Sequence, residues 1–313
     1  MGAGTKIQWA HHTFNPWTGC ARVSPGCVHC YAETLSKRAP QTFGQWGHAT
    51  ERRVTGDANW RKPLTWDRKA AAAGERHRVF CGSMCDVFED RPELVEPRER
   101  IFGLIEQTPN LDWLLLTKRA EFARDWMTAY VAGDVGPILP DRAPGPPANV
   151  WIGVSVEDQQ RAGERIPLLL GTPAAIRFLS CEPLLGRVDL PAAALHGEEE
   201  PGAWGQCVGY TAPIDWCIVG GESGPGARPM DITWARSIVD QCQQAGVATF
   251  VKQLGARPII SGPVLLSNWP VVRPAGDGKH GAIGLRDRKG GDIDEWPHDL
   301  RVREFPTPIE GAA

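Results

Sequence analysis

Leu111-Asp112-Trp113-Leu114-Leu115-Leu116-Thr117 is apolar at all but its second and last positions. It runs into Lys118-Arg119 and then into a helix-like segment, Ala120–Val131. A nearly continuous apolar run of this length suits a strand covered on both faces, as in a parallel sheet. The same unit repeats on either side. Arg78–Gly82, Val150–Ser155, Ile176–Ser180, Asp215–Gly220 and Ala248–Lys252 read as strands, with Lys6–Ala10 as the first. Helices are expected at Glu93–Gln107, Ala120–Val131, Gln159–Leu169 and Thr233–Ala245. Seven strands alternating with helices predict an α/β chain.

Each strand-like run ends in small or polar residues. They are Ser83 and Asp86; Thr117, Lys118 and Arg119; Ser155, Glu157 and Asp158; Ser180, Cys181 and Glu182; Gly220, Gly221, Glu222 and Ser223; Lys252 and Gln253. In a TIM-like full or partial (β/α) barrel these strand ends form one rim, where active sites sit. A doubly wound open sheet also binds ligands at strand C-termini, and the pattern leaves both architectures open. Residues 1–254 are expected to form the barrel, with an insertion near 51–78, and 255–313 a C-terminal extension wrapping it. Gly133–Pro147 and Pro191–Ala212 read as loops.

At 313 residues the chain can bury a full core, and 42% hydrophobic with 23% charged residues is ordinary for a globular protein. No apolar run reaches the roughly 18–20 residues of a membrane span, and the N-terminal stretch lacks a signal-peptide core. The expectation is a cytoplasmic protein without membrane contact. The net charge of −3 gives no global attraction to nucleic acid. Locally, Glu51–Arg78 sets Arg52, Arg53, Arg61, Lys62, Arg68, Lys69, Arg76 and Arg78 against four acids, with Trp60 and Trp66 interleaved. Such a segment can meet phosphates and stack on bases. It is equally a solvated insertion whose tryptophans cap the core. Most of the thirteen tryptophans are expected to be packing residues.

The nine cysteines are odd in number and unevenly spaced, which favours reduced thiols and a cofactor over a disulfide framework. Three of them, Cys20, Cys27 and Cys30, sit in one stretch with C-x6-C-x2-C spacing. Three clustered thiolates without a close fourth can hold three irons of a [4Fe–4S] cluster and leave one iron open to a ligand. Pro25 and Gly26 let the loop turn back towards Cys20. Tyr31 to Arg38 looks helical, so Cys30 would stand at a helix start, where a thiolate is favoured. The same thiols with His29, His11 or His12 would make a zinc site. Cys81 and Cys217 lie in strand-like runs and read as buried small hydrophobes. Cys85 and Cys181 fall near the expected rim, while Cys207 and Cys242 carry no assignment.

A three-cysteine loop after the first strand, with a (β/α) chain behind it, resembles the radical S-adenosylmethionine (SAM) superfamily. More narrowly, the chain resembles the phage Gp37/Gp68-type proteins, also catalogued as a domain of unknown function. The matching stretches include Phe14-Asn15-Pro16-Trp17-Thr18-Gly19-Cys20, Ser24-Pro25-Gly26-Cys27, Cys30-Tyr31-Ala32-Glu33, Leu116-Thr117-Lys118-Arg119, Gly153-Val154-Ser155-Val156-Glu157, Ser180-Cys181-Glu182-Pro183-Leu184 and Gly220-Gly221-Glu222-Ser223-Gly224. The commonest spacing in the superfamily is C-x3-C-x2-C with an aromatic before the third cysteine; here the first gap is six residues and that position is His29.

The resemblance implies that Cys20, Cys27 and Cys30 ligate three irons of a [4Fe–4S] cluster and that S-adenosyl-L-methionine chelates the fourth. An electron from an external donor would cleave SAM, and the resulting 5′-deoxyadenosyl radical would take hydrogen from a substrate. A nucleic acid or nucleotide substrate and an unidentified partner protein belong to this expectation. Gly82 and Ser83 would lie near the methionine amino group, and Ser155 and Glu157 near the ribose or carboxylate. Glu222, flanked by the backbone of Gly220 and Gly221, would meet the ribose or substrate. Lys118 and Arg119 would meet the SAM carboxylate or a substrate phosphate. Two competing readings are a non-catalytic zinc-binding, nucleic-acid-binding protein and a metal-independent TIM-like enzyme with incidental cysteines.

Overall fold

A computed structural model describes residue 5 and residues 7–137, 145–196, 198–201, 207–211, 213–261, 272–274 and 280–307. Its central element is a seven-stranded sheet. The strands are β1 (His12–Phe14), β2 (His77–Cys81), β3 (Leu111–Thr117), β4 (Val150–Ser155), β5 (Ile176–Cys181), β6 (Trp216–Gly220) and β7 (Ala248–Gln253). Their order in the sheet is their order in the chain, β1 to β7, and the pairing is parallel. β1 and β7 stand at its ends, and the strand order has no reversal of the kind that marks a doubly wound sheet: the α/β class holds, with the topology of a partial (β/α) barrel.

The helices that matter here are α1 (Tyr31–Arg38), α2 (Lys62–Ala73), α3 (Val95–Glu106), α4 (Ala120–Ala132), α5 (Gln159–Leu170) and α6 (Ile232–Ala245). α3 buries Ile101, Phe102, Leu104 and Ile105, spaced along one helical face. α6 starts where the Asp231 carboxylate accepts the Thr233 amide at 2.9 Å, and ends at Gly246 in the left-handed conformation.

Two compact units divide the chain. Among the described residues, the first comprises those up to 154 together with 171–177, and the second 155–170 together with those from 178 to 307. In the first, β3 explains the expected near-continuous apolar run: Leu111, Trp113, Leu114 and Leu115 are fully buried. Its one interior acid, Asp112, is buried but takes two hydrogen bonds from Arg76, at 2.6 and 3.0 Å. In the second unit, the outer side of β7 is covered by the C-terminal segment. Val251 donates to Val302 O, Glu304 donates to Thr249 O, and Phe305 packs on Trp216 and Phe250. That pairing occupies backbone groups an edge strand would otherwise expose.

Two expectations are corrected. The first strand is His12–Phe14, and Ile7–Ala10 is a turn; Lys6 lies outside the described residues. Trp9 is buried by packing edge-on against Phe80, at 4.7 Å between centroids, without joining the sheet. The stretch 191–212 is not simply a loop: it holds a short helix, Ala192–His196, and a hairpin of Glu198–Pro201 with Cys207–Thr211. Residues 138–144, within the other expected loop, lie outside the described residues. Among the described residues, no helix is long and apolar enough to cross a membrane.

Candidate cofactor site

The cysteine loop follows β1 and belongs to the first unit. Trp17 and Thr18 pair with Val54 and Arg53, and Cys20 bridges to Trp46. Gly19 makes the approach possible. Its φ is +106°, and a Cβ there would sit 2.6 Å from Gln45 O, so only glycine fits without movement. Pro25–Cys27 forms a single 3-10 turn, and Cys27 accepts at its carbonyl the Cys30 amide. Cys30 is the residue immediately before α1, as expected, and its carbonyl accepts the Thr34 amide. Arg22 closes the loop onto α1 with two hydrogen bonds to Glu33, at 2.7 and 2.9 Å. Cys20, Cys27 and Cys30 are all free thiols and all partly exposed.

A buried charge network lies directly against Cys20. Arg119, just beyond β3, places Nη1 2.7 Å from Asp86 Oδ2 and 3.6 Å from Cys20 Sγ. Its Nη2 donates to Ala21 O at 3.0 Å and stands 3.4 Å from Glu89 Oε1. Asp86 also accepts from the Thr117 hydroxyl at 2.7 Å and from the Phe88 and Lys118 amides. Burial opposes its charge, but Arg119, Thr117 and those amides hold its carboxyl below the usual carboxylate range. Glu89 takes Arg52 in two parallel bonds of 2.7 Å, and Arg52 is wholly buried. Burial pushes the Cys20 thiol up to about 12, against the pull of Arg119.

The Gly82–Ser83 turn after β2 is locked to both neighbours. Asn15, at the end of β1, accepts the Met84 amide at 2.7 Å and donates to the Ser83 hydroxyl at 2.9 Å. Tyr31, the first residue of α1, donates its hydroxyl to Ser83 O at 2.8 Å. The structure thus brings Gly82, Ser83, Lys118 and Arg119 together with the cysteine loop. Asn15, Tyr31, Arg52 and Glu89 complete the arrangement, and no spacing in the sequence marks their roles.

Ser155, Glu157 and Glu222 lie in the second unit. Glu157 is fully buried, and Arg165 donates to its carboxylate at 2.8 Å and to Ser155 O at 2.7 Å. Arg228 likewise grips Glu222 through its guanidinium and its amide. Both carboxylates are therefore already neutralised by an arginine, which suits fixing the loops after β4 and β6. Beside them Lys252 and Gln253 donate to Glu182 Oε1, at 2.6 and 3.1 Å, and Gln253 also donates to Gly221 O.

The remaining expectations divide. Cys81, Cys217 and Cys242 are buried, as are Cys85 and Cys181, which do not reach the surface as rim thiols. The side chain of Cys207 lies outside the described residues. His11 and His12 do not face the cysteines. His12 stacks on Trp66 at 4.3 Å and shares a 3.1 Å hydrogen bond with His77, and His11 stacks on that same ring. Among the described residues, no three His, Cys, Asp or Glu side chains are gathered as they must be around a single metal ion. Trp60 and Trp66 of the basic insertion are buried, Trp60 edge-on to Phe14 and Trp66 on His12. They serve the core and cannot stack on bases, and Arg52 and Arg76 are spent on Glu89 and Asp112.

The chain belongs to the family described as protein of unknown function (DUF5131), which matches residues 4–268. No curated protein matches it. Among solved structures it is similar to a variant of spore photoproduct lyase with bound AdoMet and dinucleoside spore photoproduct. That similarity has a TM-score of 0.41 at 13% identity, over 91% of this chain and 71% of the lyase.

Proposed function

We propose that the chain is a radical SAM enzyme whose [4Fe–4S] cluster is held by Cys20, Cys27 and Cys30. The observation that carries this reading is the loop itself. Three free, partly exposed thiols stand between the end of β1 and the start of α1, with a guanidinium set against one of them. Soft thiolate donors suit iron–sulfur clusters. A single zinc ion needs its donors at about 2.0–2.3 Å from one point, whereas a cluster takes each thiolate on a different iron. Once bound and reduced by an external donor, such a cluster would supply one electron for the reductive cleavage of SAM.

The chain's own residues have distinct tasks in this reading. Gly19 and the Arg22–Glu33 pair shape the loop at its two ends. Asn15 and Tyr31 hold the Gly82–Ser83 turn beside α1, and that turn is assigned to the methionine end of SAM. Lys118, whose amide is fixed by Asp86, is assigned to the SAM carboxylate. The test is metal analysis after anaerobic reconstitution with iron and sulfide. Wild type is expected to carry about four irons per chain, and Cys20→Ala, Cys27→Ala and Cys30→Ala to retain few. Iron that binds equally well without the three thiols sinks the reading.

A further inference from the structure

We infer that Arg119 sets the reduction potential of the iron–sulfur cluster through Cys20, as a positioning residue that touches neither SAM nor substrate. The inference rests on the cluster reading above. Its physical basis is the placement of one guanidinium. Arg119 Nη1 is 3.6 Å from Cys20 Sγ, and Nη2 binds the next carbonyl, Ala21 O, at 3.0 Å. The group therefore holds the sulfur of the ligand residue and the carbonyl of the residue after it at once.

The guanidinium is held from behind. Asp86 binds it at 2.7 Å and is itself fixed by Thr117, Lys118 N and Phe88 N. Glu89 lies on its other side, anchored by Arg52. Only 14% of the Arg119 side chain is exposed. Arg22, which lies on the cysteine loop itself, is turned to Glu33. Arg119 is therefore a fixed, poorly solvated cation beside one ligand, and it stays charged at any working pH.

One-electron reduction adds a negative charge to a cluster. A fixed cation and a hydrogen bond to a ligand sulfur both favour the reduced form, and hydrogen bonds to sulfur are among the factors that set cluster potentials. The network pairs two arginines with two acids, so losing Arg119 leaves an excess negative charge next to Cys20. Both effects push the potential down.

The test is a potentiometric titration of the reconstituted full chain, with dithionite as reductant and electron paramagnetic resonance as readout. Arg119→Gln is expected to shift the reduction equilibrium at least tenfold towards the oxidised form, about 59 mV for one electron. Arg119→Lys keeps the charge but not the fork, and is expected to shift it less in the same direction. It also decides the matter if Arg119→Gln does not fold. Arg124→Gln removes an exposed charge of α4 and is expected to leave the potential unchanged. Iron-loaded Arg119 variants with the wild-type potential overturn this inference alone. A wild-type chain that takes up no iron overturns the cluster reading and this inference with it.

Discussion

Asn15 and Ser83 are bound side chain to side chain at 2.9 Å, although they lie 68 positions apart in the chain. With the Met84 amide also on Asn15 Oδ1, this contact fastens the turn after β2 to the end of β1. Asn15 is fully buried, so nothing replaces it when it is cut back. Asn15→Ala is expected to cost about 2–4 kcal/mol, from lost hydrogen bonds and a buried amide left unsatisfied. Urea denaturation measures it. An unchanged midpoint contradicts the latch.

Arg52 and Glu89 form a second tie, this one ionic and sealed from solvent. Glu89→Ala leaves a buried guanidinium with only the carbonyls of Gly47 and Thr50 and the Thr50 hydroxyl. The expected loss is about 3–5 kcal/mol, the usual consequence of breaking a buried pair on one side. Glu89→Gln keeps one acceptor and is expected to lose less. Equal stability of all three proteins excludes the tie.

Gly19 is the backbone hinge of the cysteine loop. Gly19→Ala combines a left-handed φ with a contact no Cβ can tolerate, and strain of this kind costs on the order of 1–3 kcal/mol or more. The variant is expected to melt earlier and to take up iron poorly, because Cys20 is the next residue. Thermal melting and metal analysis together check it; normal values for both contradict the role.

Acid sensitivity has an identifiable source. Burial, then the neighbouring His77, His11 and Lys69, lower the His12 pKa from 6.5 to about 4. The unfolded chain therefore binds this proton more readily than the fold does. The neutral imidazole's contribution is complete above pH 6.5 and is lost as pH falls through 4. His12→Phe keeps the ring on Trp66 and removes the proton site. Relative to wild type, its stability is expected to fall less between pH 6.5 and 4. Parallel curves for the two proteins contradict the assignment.

Much of the fold was legible in the sequence, because six of the seven strands are buried on both faces and read as apolar runs. β3 matches its run residue for residue, and the helices after β2, β3, β4 and β6 lie where periodicity placed them, within a few residues. β1 was displaced because its His12-Thr13-Phe14 is short and mostly polar, while the turn before it carries Ile7 and Trp9. The cysteine triplet and the Gly82–Ser83 turn were visible as local patterns. The network of Arg52, Asp86, Glu89 and Arg119 was not, since only the fold brings charges so far apart in sequence together. For the same reason the tryptophans of the insertion could be read as either surface or core until Trp60 met Phe14 and Trp66 met His12.

The most direct measurement is the yield of 5′-deoxyadenosine when reconstituted protein is reduced anaerobically with dithionite in the presence of SAM. The account predicts formation of 5′-deoxyadenosine and methionine by wild type, and loss of both in Cys30→Ala. Iron-loaded wild-type protein that leaves SAM intact, or cleavage that survives Cys30→Ala, contradicts it.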